Sequence, residues 1–132
     1  MATMQPTVLV VDDEPALRAV TTRALEEDGF TVTTAADASD AWMKILEAEQ
    51  PYDLIVVDAF MPGGGGTALV HRTRERLPSQ RFLLITGRID RDPSIGLPQD
   101  VPVLLKPFTP DGIVHAAFAA LQSVGGISPV GP

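Results

Sequence analysis

Four short runs in this chain are apolar at every position: Val8-Leu9-Val10-Val11, Leu54-Ile55-Val56-Val57, Phe82-Leu83-Leu84-Ile85 and Val103-Leu104-Leu105. A run with no polar interruption reads as a strand buried on both faces, which is how strands of a helix-covered parallel sheet look in sequence. They predict strands near residues 8–11, 53–57, 81–85 and 102–105, and residues 30–34 alternate as a further strand. Between the strands the apolar positions switch to helical spacing. Leu17, Val20, Ala24 and Leu25 mark a first helix, opened by Asp13-Glu14-Pro15 with Asp13 as N-cap and stopped by Asp28-Gly29. Ala41, Trp42, Ile45 and Leu46 form the inner face of a helix over 38–49, and Leu69, Val70 and Leu77 that of a helix from about 67 to 76. A Thr109 cap followed by Pro110 starts the last helix, which runs to about residue 123. The expected organisation is one domain, residues 1–124, and a loose tail, 125–132.

Residues 87–100 break this alternation. They contain Pro93, Gly96 and Pro98 and no sustained apolar stripe, so a single turn is the most expected there. Strand–helix alternation with short connections gives an α/β fold. The form expected is a flavodoxin-like, doubly wound, five-stranded parallel sheet of order 2-1-3-4-5, with the fourth helix short or absent.

Composition narrows this further. Of 132 residues, 45% are hydrophobic but only 5% aromatic, so the core must be aliphatic. Cysteine is absent, which excludes disulfides and thiolate metal sites. A formal net charge of -7 argues against a nucleic-acid partner or an anionic membrane surface. No stretch approaches the roughly 20 apolar residues of a membrane span, and residues 1–7 do not resemble a signal peptide. The expectation is a soluble, cytoplasmic protein.

The reactive side chains fall at the ends of the apolar runs. Asp12 and Asp13 follow the first, Asp58 the second, Thr86 the third and Lys106 the fourth. In open α/β sheets that C-terminal edge is where ligands bind. Three carboxylates gathered there repel, so either their pKa values rise or a cation neutralises them. An all-oxygen site favours Mg²⁺, Mn²⁺ or Ca²⁺ over zinc, and an open, hydrated sheet edge suits Mg²⁺. Lys106 can pair with the carboxylates and hold phosphoryl oxygens, and the Thr86 hydroxyl can donate to one. Each residue also has a simpler role: Asp13 as a helix cap, Asp58 as the start of a turn, Lys106 reaching to solvent, Thr86 as a β-former. None of these explains why all of them share one rim. The set suits holding a divalent cation and moving a phosphoryl group onto an aspartate.

Taken in order, Val10-Val11-Asp12-Asp13-Glu14, Asp58-Ala59-Phe60-Met61-Pro62, Thr86-Gly87 and Lys106-Pro107-Phe108 resemble the response-regulator receiver domain of two-component signalling over about residues 6–123. Gly66 falls where that family has a loop glycine. The resemblance implies a phosphoprotein in which Asp58 is the phosphoacceptor. It implies Mg²⁺ held directly by Asp13, largely through water by Asp12, and by Asp58 and the backbone carbonyl of Phe60. It also implies that Lys106 binds the phosphoryl group, that Thr86 swings toward it, and that the Lys106–Pro107 bond is cis. The implied partner is a histidine kinase or a histidine phosphotransfer protein of a phosphorelay. The downstream protein effector is unknown, and a weak homodimer is left open. Such a domain is not an enzyme in the usual sense; it promotes its own phosphorylation and dephosphorylation.

The chain departs from the family pattern at several points. Val103 stands where many members carry a switch Tyr or Phe, the element after the fourth strand is eroded, and Gly63 to Gly65 replace more constrained residues. Phe60 and Arg88 occupy the two variable positions flanking the phosphoryl pocket. One alternative is a non-phosphorylated pseudo-receiver acting as an interaction module. Another is a nucleotide-binding or phosphatase enzyme built on Gly63 to Gly66. That run lacks the G-x-x-x-x-G-K-[ST] pattern and follows the third strand rather than the first. The context, a stand-alone receiver or the C-terminal receiver of a hybrid histidine kinase, is open on sequence.

Overall fold

The structure is a computed structural model, described here for residues 5–61, 65–87 and 100–122. The elements run β1 (Thr7–Val11), α1 (Pro15–Glu27), β2 (Thr31–Ala35), α2 (Ala38–Glu47), β3 (Leu54–Asp58), α3 (Gly65–Arg76), β4 (Phe82–Thr86), β5 (Val103–Leu105) and α4 (Pro110–Gln122). The five strands form one parallel sheet in the order β2-β1-β3-β4-β5, as expected. The expectation about a fourth helix between β4 and β5, and the C-terminal tail, concern segments outside the described residues.

The apolar runs are uninterrupted because successive strand residues point to opposite faces and both faces are covered. Leu9, Val11, Ile55, Val57, Phe82 and Leu84 face one core with Ala41 and Ile45 of α2 and Leu69 and Val70 of α3. Val8, Val10, Leu54, Val56, Leu83 and Ile85 face the other with Ala24 and Leu25 of α1 and Ile113, Ala117 and Ala120 of α4. Leu9, Leu25, Leu54 and Ile55 are among the largest side chains fully removed from water. Each such burial contributes roughly 1.5–3 kcal/mol before the entropy cost of ordering.

Several boundaries differ from the sequence expectation. Glu14, not Asp13, holds the N-cap position of α1, and it makes no side-chain cap bond. Pro15, at the first helical position, removes one of the first-turn N–H groups that have no partner within the helix. Val20 of α1 and Leu46 of α2 are largely exposed rather than inward. Thr21, Ala24 and Leu25 form the buried stripe of α1, and Val20 falls on its margin. α3 begins at Gly65, two residues before the expected start. Its first residues lie so close to the chain after β3 that only glycine fits: a Cβ on Gly65 would meet the Ala59 carbonyl oxygen at 2.7 Å, and one on Gly66 the Asp58 oxygen at 2.4 Å.

A polar clasp closes the opposite end of the sheet. Arg74 of α3 donates through Nε and Nη2 to the Gln80 carbonyl and forms a two-pronged pair with Asp100, at 2.8 and 2.7 Å. Arg74 thereby ties the end of α3 and the turn before β4 to the residues leading into β5. The guanidinium holds the Asp100 carboxyl below its usual pKa.

Candidate functional site

At the C-terminal edge of the sheet, strand order decides who meets whom. β1 and β3 are neighbours at the switch point, and β4 and β5 follow on one side. Asp12, Asp58, Thr86 and Lys106 therefore leave consecutive positions across the sheet. Backbone bonds hold this rim in register: Asp12 N–H donates to the Ala35 carbonyl, Ala59 N–H to that of Ile85 and Lys106 N–H to that of Thr86.

Asp58 ends β3 and is 5% exposed. Its Oδ1 accepts the Phe60 N–H at 3.0 Å, and its Oδ2 accepts the Lys106 ammonium at 2.7 Å. The second bond is an ion pair between partners 48 residues apart in sequence, formed only because β5 lies on the same side of β3 as β4. Asp12 is 3% exposed, and its Oδ1 accepts the Glu14 N–H at 2.9 Å. Arg18 of α1 donates to the Asp12 carbonyl at 2.7 Å and pins the turn. Thr86, fully buried, ends β4 next to the pair. Phe60 follows Asp58 by two residues and is partly exposed. The Lys106–Pro107 bond is cis, as the resemblance implied.

The electrostatics follow from this crowding. Burial lifts the Asp12 carboxyl above its ordinary value; the Glu14 N–H opposes the rise and the charge of Asp58 adds to it. For Lys106, burial works against the charged form, but the hydrogen bond and charge of Asp58, with Asp12 and Glu14 behind it, carry its pKa above the ordinary value. The ammonium is thus locked on.

Asp12, Asp58 and Lys106 come together as expected, with Thr86 beside them. Asp13 is exposed and stands outside the converging carboxylates. Glu14 stands in that group instead: oxygens of Asp12, Glu14 and Asp58 lie within 4.8 Å of one another. Glu14 also reaches Lys106 Nζ at 3.4 Å. In sequence Glu14 is only the last residue of the Val10-Val11-Asp12-Asp13-Glu14 motif; the signal for its place here is an extra acid directly after Asp12-Asp13, on a side chain one methylene longer. This all-oxygen donor set, in which burial first and the charge of Asp58 second raise the Asp12 pKa, fits a hard divalent cation.

Comparison with known proteins bears on the same residues. Residues 8–118 match the sequence profile of the response regulator receiver domain family. The chain is 31% identical over 103 residues to the response regulator receiver protein CpdR of Brucella abortus, covering 76% of this chain and 84% of that protein. It is 34% identical over 122 residues to the probable transcriptional regulatory protein TcrX of Mycobacterium tuberculosis, covering 90% and 51%. It is 34% identical over 105 residues to the sensor kinase CckA of Brucella abortus, covering 78% and 11%. The chain spans between 26% and 51% of the length of three curated transcriptional regulators that it matches. Among solved structures, the chemotaxis response regulator CheY4 of Vibrio cholerae superposes with a TM-score of 0.79 at 25% identity, over 89% of this chain and 99% of that one. The receiver domain of an HD domain-containing protein from Pseudomonas fluorescens does so with 0.78 at 26%, over 90% and 96%. The matched span takes in every residue that strand order brings to the acidic edge, Asp12, Asp58, Thr86 and Lys106 alike, so fold, site and sequence similarity agree: the chain belongs to the response regulator receiver domain family.

Proposed function

We propose that this domain takes a phosphoryl group onto Asp58 from a phosphohistidine of a histidine kinase or a histidine phosphotransfer protein, and that the state of Asp58 switches which protein it binds. The observation that carries this reading is the 2.7 Å pair between Asp58 Oδ2 and Lys106 Nζ on a buried carboxylate. One oxygen is anchored by the Phe60 N–H while the other lies beside a cation suited to a phosphoryl oxygen. In the transfer, an Asp58 oxygen bonds to phosphorus as the phosphorus–nitrogen bond breaks, and the imidazole leaves with the electron pair and takes up a proton. Such transfers depend on alignment and charge neutralisation. Lys106 supplies a fixed positive charge, and the Thr86 hydroxyl a donor at the same rim.

Asp12, Asp58 and the Phe60 carbonyl would hold Mg²⁺, with Asp13 as the further ligand that the resemblance implies; its carboxylate is exposed, outside the converging group, and would have to turn in. When bound, it supplies neutralising charge for the phosphoryl oxygens. The match to a segment of a sensor kinase and to parts of transcriptional regulators supports a partner-switching role in more than one setting. No helix among the described residues is long and apolar enough to cross a membrane.

The test is labelling with acetyl phosphate, with and without Mg²⁺, read by intact mass. Wild type should gain one phosphoryl group only with the cation, and Asp58→Asn should gain none. Equal labelling of the variant would refute the assignment, and unlabelled wild type under all donors would favour the pseudo-receiver.

A further inference from the structure

We propose that Glu14 is a positioning residue that shares the Lys106 ammonium with Asp58 and restrains it from following an incoming phosphoryl group. This rests on the reading of Asp58 as phosphoacceptor. The side chain of Glu14 has no work at the end of its own helix: it makes no cap bond, and its backbone N–H is taken by Asp12. Instead Oε1 reaches Lys106 Nζ at 3.4 Å, across 92 residues of sequence, while Asp58 Oδ2 holds the same nitrogen at 2.7 Å. Two of the three ammonium donors are thus directed at carboxylates.

Glu14 approaches from the start of α1 and Lys106 from the end of β5, so the two side chains meet over the pocket mouth. When an Asp58 oxygen bonds to phosphorus, its charge passes to phosphoryl oxygens farther out, and Lys106 must move to meet them. The Glu14 contact belongs to the resting arrangement and has to be given up, so it stabilises the ground state rather than the transition state. Its charge also opposes an anionic donor at the same mouth. The Glu14 side chain is 63% exposed, so the effect is that of a surface pair, roughly two- to fivefold, and salt reduces it.

The chain has only two lysines, Lys44 and Lys106, so the Lys106 ammonium and its neighbouring carbon can be followed by NMR with isotope-labelled lysine, Lys44 serving as internal reference. This readout needs neither donor nor cation. Glu14→Gln should move the Lys106 signal and leave Lys44 in place. Glu14→Asp, which keeps the charge but shortens the reach, should move it too. With acetyl phosphate, in which the phosphorus–oxygen bond to the departing acetate breaks as the Asp58 bond forms, Glu14→Gln should label roughly two- to fivefold faster at low salt. An unmoved Lys106 signal, or a rate for Glu14→Gln at or below wild type, overturns the proposal. If wild type takes no label, the phosphoacceptor reading falls and the restraint with it, while the Lys106 signal alone still reports whether the contact exists.

Discussion

Replacing Gly66 by alanine tests how tightly α3 is fitted to the phosphoacceptor strand. An added Cβ would lie 2.4 Å from the Asp58 carbonyl oxygen, 3.1 Å from its carbon and 3.1 Å from Val57 Cγ2. Relief to even 3.0 Å requires the helix start or the end of β3 to retreat by about 0.6 Å. Neither is free to do so, since Val57 is fully buried and Gly66 N–H is bonded to the Ala59 carbonyl. Overpacking of this kind costs about 1–3 kcal/mol. At roughly 3–5 °C per kcal/mol for a domain of this size, Tm should fall by about 6–10 °C for a mid-range cost. Part of the displacement falls on Asp58, whose Oδ2 sits 2.7 Å from Lys106. Because misplacement on the ångström scale can cost up to about 10²-fold in rate, phosphorylation by acetyl phosphate should slow by roughly tenfold or more. Gly29→Ala is the control. Gly29 has φ 96° and nothing within 4 Å of an added Cβ, so alanine there meets only backbone strain, about 1–2 kcal/mol. It should lower Tm and leave the phosphorylation rate alone. The assay is thermal unfolding by circular dichroism alongside labelling kinetics on both variants. If Gly66→Ala labels at the wild-type rate, or the two variants slow it equally, the claim that α3 buttresses the acceptor is wrong.

Further expectations follow from other parts of the fold. Asp100→Asn should cost about 1–2 kcal/mol in urea unfolding at pH 7 by weakening the Arg74 clasp. Arg74 depresses the Asp100 pKa below its ordinary 3.8, so this contribution is present above that value and is lost as pH falls through the folded-state pKa. The gap between wild type and variant should therefore close below about pH 4, and a gap constant down to pH 2 would contradict the pairing. Leu25→Ala, in the α1–α4 core, should cost about 2–5 kcal/mol while the labelling rate of the folded fraction stays at wild type. Asp13→Ala should weaken Mg²⁺ affinity by roughly tenfold or more in a calorimetric titration; wild-type affinity would exclude Asp13 from the cation site.

The order and type of the strands were legible in the sequence because burial on both faces leaves an uninterrupted aliphatic run, as in Leu54 to Val57, that no amphipathic helix shows. The placement of Asp12, Asp58, Thr86 and Lys106 at one edge followed from the same pattern, since each directly ends or follows such a run. Helix faces were less legible. Val20 and Leu46 fit the helical period, but which margin of an apolar stripe is covered depends on neighbouring elements that a periodicity does not contain. The start of α3 is hidden in the sequence for a related reason: glycine reads as a loop residue, and only the approach of Gly65 and Gly66 to the Ala59 and Asp58 carbonyls shows that glycine is what lets a helix begin there. Glu14 is the clearest case at the site. Its position beside Asp12-Asp13 was visible, but its contact with Lys106 depends on the turn leaving β1 and on β5 lying two strands from β3. Local sequence sets which faces are apolar and where strands end. Long-range packing decides which of two adjacent acids turns toward the lysine, because that choice is made by distances between segments far apart in the chain.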